Sequence, residues 1–265
     1  MMMMMRDVSL LRDHQVLLVL RRGRDGLSLE SRSGLLHSAL MYKWPMTAME
    51  LLSDLYIDPS VGYNAPIRMA CKHGYHDVVE MLLAHPKTDP TADNDEALAN
   101  ACEYGHIECV RLLLRHPGVN PTQPRKSALE AAVYSGHKDI VALLLADDRV
   151  NPGLYQSRAL ATALHHGTEE VSVEIAEMLL KDRRVDLGDQ VFTLTCALRR
   201  GLQKTVDLYV NHPDTSTESY INIIRTLFEH EGITNDPVRW PNYVAKIDSQ
   251  KMIREMNAMV GMCSS

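Results

Sequence analysis

Apolar residues in this chain form two alternating helical stripes that return every 31 residues. A glycine marks each return, at Gly74, Gly105, Gly136 and Gly167, with a further one at Gly201. Four residues before these stand Ala70, Ala101, Ala132, Ala163 and Ala197; seven before stand Ile67, Leu98, Leu129, Leu160 and Leu194. An apolar residue and a small one three positions later share one helix face, and the small one lets a neighbouring helix come close. The spacing predicts a short first helix, from about Pro66 to His73 in the second copy, closed by a left-handed end at the glycine.

A second stripe follows: Val78, Val79, Leu82 and Leu83, then Cys109, Val110, Leu113 and Leu114, then Ile140, Val141, Leu144 and Leu145. This is helical periodicity again. It stops at His85-Pro86, at His116-Pro117 and at Asp147-Asp148. Next comes an Asx-Pro pair, Asp58-Pro59, Asp89-Pro90, Asn120-Pro121 and Asn151-Pro152. Proline removes an amide donor and biases its predecessor to an extended shape, so this stretch reads as a turn or finger.

The unit is helix, tight turn, helix, finger, and six copies fill residues 34–213. The first copy has Lys43 in the glycine place but keeps Leu36, Ala39, Leu51 and Leu52 in register. The fifth carries extra residues around Val171 to Glu174, before Met178, Leu179 and Leu180. Each helix is shorter than the roughly 12–15 residues at which an isolated helix becomes even marginal. Stability must therefore come from stacking, as in a helical solenoid with distinct ends. Residues 1–33 read as a tail and capping helix, because Leu11 to Leu20 fall in register with a second helix that lacks its partner. Residues 214–265 read as a degraded repeat with Ile223, Ile224, Leu227 and Phe228, then a capping helix with Ile253, Met256 and Val260.

Composition agrees with an all-α array: 45% of residues are hydrophobic, but only 5% are aromatic. The formal charge of −6 is mild and mixed, with no basic stripe to announce nucleic acid. Arg21-Arg22-Gly23-Arg24 is too short for that and reads as a solvated turn. Val16 to Leu20 is only five apolar residues, against the roughly 20 a membrane span needs. Five scattered cysteines suit a reducing compartment. The expectation is a cytoplasmic monomer, with the nucleus also open, without membrane contact or cofactor.

Some residues suggest chemistry. Cys71, His73 and His76 lie close in sequence, as do Cys102, His106 and Cys109. Zinc needs four converging thiolate or imidazole ligands. Yet Cys71 and Cys102 share one repeat position, and His106 and His137 share another, so periodicity explains them without metal. The His165-His166 pair reads as an exposed helix end. The chain has no Gly-rich phosphate loop, His-Glu-x-x-His or Gly-x-Ser-x-Gly motif.

The columns resemble the ankyrin repeat, with its small-residue first helix, Gly-His turn and Val-x-x-Leu-Leu second helix. The match is best over Glu96 to Leu114 and over Ser127 to Leu145, and covers about two thirds of the chain, from Gly34 to His212. The chain departs from the family in its period, 31 rather than the usual 33 or so. The two missing residues fall in the finger, whose glycine is absent; Asn94, which tolerates a positive φ, stands there in one copy. The Thr-Pro-Leu-His signature survives only as Ala65-Pro66-Ile67-Arg68 and Ser127-Ala128-Leu129-Glu130.

The resemblance implies a non-enzymatic scaffold that binds a protein on a concave surface of fingers and first helices. Carried over by position, the contact residues are Tyr63, Arg68 and Lys72; Asp95, Glu103 and Tyr104; Arg125, Lys126, Glu130 and Tyr134; and Tyr155, Arg158 and His165. Two alternatives stand beside it. One is a ubiquitin-ligase substrate adaptor docking through Asp13 to Leu20; the more remote one is a metal-dependent hydrolase using the Cys/His columns.

Overall fold

The computed structural model describes residues 12–18, 21, 28–54, 56–123, 127–153, 158–163 and 169–185. The chain divides into two compact units, Met1–Asn151 and Pro152–Ser265, each described by itself. The helices are α1 (Leu29–Met41), α2 (Pro45–Leu52), α3 (Val61–His73), α4 (His76–Ala84), α5 (Ala92–Glu103), α6 (Ile107–Leu114), α7 (Ala128–Tyr134), α8 (Lys138–Leu145) and α9 (Glu169–Leu180). Residues 12–18 and 158–163 are also helical, and no strand occurs among the described residues.

In the first unit α1, α3, α5 and α7 stack in order, α2, α4, α6 and α8 stack in order, and each first helix packs on its own second helix. The core is made of the predicted columns. Leu36, Ile67, Leu98 and Leu129 are buried, as are Ala39, Ala70, Ala101 and Ala132, and Ala48, Val79, Val110 and Val141. Each fully buried Leu, Ile or Val contributes about 2 kcal/mol. Intrinsic helix preferences differ by tenths of that, so stacking decides the fold.

Each first helix ends in the same reversal. Trp44, Tyr75, His106 and His137 donate their amides to Ala39, Ala70, Ala101 and Ala132, five residues back, at 2.7–3.0 Å. The residue between is left-handed: Lys43 (φ 62°), Gly74 (75°), Gly105 (80°) and Gly136 (76°). This is a Schellman end, which satisfies orphan carbonyls and favours glycine. A second pressure acts at two of them. A Cβ on Gly74 would lie 2.5 Å from His106 Nδ1, and one on Gly105 2.6 Å from His137 Cε1. Those rings are held there because His106 Nε2 reaches Lys72 O and His137 Nε2 reaches Glu103 O, both at 3.1 Å. A carbonyl only accepts, so Nε2 carries the proton. In the first copy the next repeat offers Tyr75 instead of histidine, and a lysine holds the turn.

The fingers explain the short period. Gly62, Tyr63 and Asn64 are all left-handed, with φ 62°, 58° and 59°, and Asp93, Asn94 and Asp95 repeat this with 58°, 60° and 57°. Bonds from Asn64 N to Ser60 O (2.9 Å) and Asp95 N to Thr91 O (3.0 Å) close the turns. Left-handed backbone costs an ordinary residue about 1–2 kcal/mol, and Gly, Asn and Asp visit it most readily. Tyr63 alone falls outside that set. The equivalent 124–126 lie outside the described residues.

Polar side chains at these turns join consecutive repeats. Ser33 Oγ accepts from Asp58 N (2.9 Å), Asn64 Oδ1 from Asp89 N (2.8 Å), and Asp95 Oδ1 from Asn120 N (3.2 Å). All three acceptors are buried and stand 31 residues apart. In three of the four Asx-Pro pairs the Asx oxygen accepts from both the amide and the hydroxyl two residues on, at Ser60, Thr91 and Thr122. The residue that ends each second helix has its own task. Asp54, His85, His116 and Asp147 each accept the amide two residues later, which is why His and Asp interchange there.

The segment 12–18 packs against the first repeat. Leu17 is buried in the column of Ala48 and Val79. Asp13 has no exposed surface. Its carboxylate accepts from Met46 N (2.8 Å), Thr47 N (2.9 Å) and Thr47 Oγ1 (2.5 Å). Helix α2 has no side-chain cap of its own at Trp44, so Asp13 supplies one from another segment. In the second unit Leu160, Ala163, Leu179 and Leu180 are buried as expected, Met178 is half-buried, and Ile175 and Ala176 are buried as well. The sixth repeat and the expected C-terminal cap at Ile223 to Val260 lie outside the described residues.

Two outcomes follow from the turns. Lys43→Gly should raise unfolding stability by about 1 kcal/mol, read from urea denaturation, because it removes a side chain from a left-handed position. A variant no more stable than the parent would show that Lys43 is unstrained. Second, burial foremost pushes His73 and His106 below the ordinary imidazole value. The unfolded chain then binds more protons below about pH 6.5, so the stability these groups contribute is full above that value and declines as pH falls beneath it. Buried Asp95, whose carboxyl is raised, works in the opposite sense. The urea midpoint should be lower near pH 5.5 than near pH 7.5, and His106→Gln should shrink that difference.

Candidate binding surface

The inward alanine of each first helix leaves the residues two and three places later facing away from the core. They make two rows in register along the first unit. One holds Met41, Lys72, Glu103 and Tyr134; the other holds Tyr42, His73, Tyr104 and Ser135. Met41, Tyr42, Tyr104 and Tyr134 are exposed, and Lys72, His73, Glu103 and Ser135 are half-buried. The Lys72 ammonium lies 5.2 Å from the centre of the Tyr104 ring, so a cation–π contact already links neighbouring repeats here. The exposed finger tips Tyr63, Asp93 and Asn94 stand at the other end of the first helices. Tyr63 is 85% exposed, a large apolar ring held on a tight backbone turn.

The candidate residues divide by what holds them. Tyr63, Tyr104 and Tyr134 are on the surface as expected, with Lys72 beside Tyr104. Arg158 is exposed on the helical segment 158–163. Glu103 and Glu130 are half-buried; the backbone carbonyl of the first accepts from His137, and the amide of the second donates to the Ser127 hydroxyl oxygen. Arg68 is engaged inside the stack. It pairs with Glu96, reaches Asp93 Oδ2 at 3.2 Å and donates to Gly62 O at 2.9 Å, so it ties one finger to the next. Asp95 does not stand on the surface. It is 3% exposed, accepts from Asn120 N and takes a 2.7 Å bond from Gln123 Nε2. The expectation of Asp95 as a contact residue is corrected on that ground: the left-handed turn points it inward. Arg125, Lys126, Tyr155 and His165 lie outside the described residues.

Sequence reasoning passed over Tyr42 and Met41 in the first copy. Register alone would have found them, since Tyr42 is the counterpart of Tyr104, and Met41 that of Tyr134. It also passed over Tyr56, exposed in the loop before the second repeat. Tyr75 does not belong to this surface. Burial, with Asp13 nearby, raises its hydroxyl to about 12, and it stays protonated.

Among the described residues, no group of three or more His, Cys, Asp or Glu side chains converges as metal ligands would. No helix among them is long and apolar enough to cross a membrane. Among curated proteins, none matches the chain. A family model of ankyrin repeats, in three copies, matches residues 33–125 and 67–155. These matches span the same helix pairs, Gly-His turns and buried columns that the structure stacks in register. Over residues 33–155 the chain is similar to the ankyrin-repeat family.

Proposed function

We propose that the chain is a non-enzymatic scaffold, acting as a monomer in the cytoplasm or nucleus, that holds a partner protein against its fingers and first helices. Ankyrin repeats are generally protein-interaction modules. The observation that carries the reading here is the in-register exposed rows, with tyrosines at Tyr42, Tyr63, Tyr104 and Tyr134 beside buried polar groups that are already engaged in joining the repeats. Rigid aromatic rings are the commonest interface anchors, and losing one that matters costs about 2 kcal/mol or more. The triple variant Tyr63→Ala, Tyr104→Ala, Tyr134→Ala should keep its helical circular dichroism. As bait in an extract of the native cell it should lose a specific protein that the parent chain recovers. Recovery of the same proteins by both baits would sink the surface.

A cap role for residues 12–18 is favoured over a ligase-docking helix by the burial of Asp13 and Leu17, which a docking helix would keep free for its partner. Asp13→Ala leaves two amides at the start of α2 without their acceptor, and each unsatisfied buried group costs about 1–3 kcal/mol. The expected result is a clear fall in the urea midpoint. Unchanged stability, with loss of a ligase subunit from a pull-down, would support the adaptor.

A further inference from the structure

The outward pairs at the ends of the first helices differ in chemistry from copy to copy. Lys72 stands in the second copy with apolar groups on either side of it: the preceding copy offers Met41 and Tyr42, and the following copy offers Tyr104, all three exposed. Helices α1, α3 and α5 stack in that order, so these groups occupy consecutive steps of one row.

The charge of Lys72 is used differently from that of its neighbours. Arg68 lies one turn earlier on the same face of α3, and it is paired with Glu96 and Asp93. Arg32 on α1 is paired with Asp54. The Lys72 ammonium meets no carboxylate among the described residues; its contact is the Tyr104 ring, 5.2 Å from the centroid. His73 beside it lies near Tyr75, with ring centres 5.7 Å apart. Burial pushes that imidazole below its ordinary value, so it is largely uncharged at neutral pH. Lys72 therefore keeps its ion-pairing capacity for a group outside the described fold. The ring orders its side chain in advance, which removes part of the cost of pairing. Being half-buried, its charge is also screened less than that of a fully exposed lysine. A carboxylate is the complement of such a group.

The repeat spacing fixes what can flank that carboxylate. Contacting helices lie about 8–10 Å apart, and an extended chain advances about 3.3 Å per residue. A segment laid across the row therefore passes one repeat about every three residues. With its acid over Lys72, it places one neighbour over Met41 and Tyr42 and another over Tyr104.

We infer that this row takes an extended acidic segment of a partner protein, in which one Asp or Glu pairs with Lys72 between apolar side chains about three residues to either side. The inference rests on the scaffold reading above and adds the chemistry of what is held. Lys72 selects the acid; Met41, Tyr42 and Tyr104 select its flanks.

The test pans the full chain against random linear peptides displayed on phage. The enriched sequences should share an Asp or Glu with an apolar residue about three positions before and after it. A synthetic peptide of that set should bind by fluorescence anisotropy, and more weakly as salt rises. Lys72→Ala should weaken this peptide about tenfold. Exchanging the peptide's acid for Gln should cost the parent chain as much and cost the Lys72→Ala chain nothing further. Lys72→Glu should turn the central preference to Lys or Arg. Both variants should keep the parent's circular dichroism, since the Lys72 ammonium has no ion pair to lose. Enriched peptides without a shared acid, or a Lys72→Glu chain that selects the same set, would overturn the inference; the scaffold reading survives that outcome if binding still falls with Tyr104→Ala. A panning that enriches no linear peptide would overturn it too, and the scaffold reading is then decided by the pull-down with the tyrosine variant, in which Lys72 is unchanged.

Discussion

The first unit depends on one reversal, the left-handed residue that ends each first helix. It turns the chain back within three residues, so that two helices too short to persist alone are pressed together at once. The alanine four residues earlier is part of the same device. Its carbonyl receives the amide just past the turn, and its small side chain lets the next repeat's helix come close. The histidine that follows then reaches back over the previous glycine to the carbonyl two residues before it. The glycine and the next repeat's histidine are therefore linked requirements, and where Lys43 stands for the glycine the next repeat has Tyr75 for the histidine.

This linkage explains where the polar atoms go. A stack of short helices has many ends, and each end leaves amides or carbonyls without a helical partner. Here they are met from the neighbouring repeat: Ser33, Asn64 and Asp95 serve the next Asx-Pro turn, and Asp13 serves the start of α2. Arg149 does the same in reverse, donating to Val119 O and Leu114 O of the preceding copy. Joining repeats through polar groups as well as through hydrocarbon fixes register, because a slip would leave buried groups unpaired.

The repeating columns were legible in the sequence because each is tested several times over. Helices end at Ala84, Leu114 and Leu145, where His-Pro or Asp-Asp pairs promised an end. Asn94 was recognised as fit for positive φ and adopts 60°. What stayed hidden depended on contacts between distant positions or on broken periodicity. Asp13 caps a helix 33 residues away, and nothing local to it reveals that. Arg68 and Asp95 were placed outward by analogy of position. Asp95 belongs to a left-handed turn, where helical periodicity no longer says which way a side chain points. Arg68 stands on the helix proper, but its guanidinium is taken up by Glu96 and Asp93 of the next repeat.

The shortened finger has a further consequence for recognition. Three consecutive left-handed residues leave little freedom: the first two face outward, and the third is buried under the next repeat's turn. Arg68 then bonds to the carbonyl of Gly62 while pairing with the carboxylates of Asp93 and Glu96, so adjacent tips are tied together. A ring such as that of Tyr63 is presented on backbone that is already ordered before any partner arrives. Ordering a loop is one of the main costs of association, and a tip fixed in advance removes part of it. A finger two residues shorter thus gives up reach and gains rigidity, and under the proposed scaffold role recognition would rest on a few exposed rings rather than on an adaptable loop.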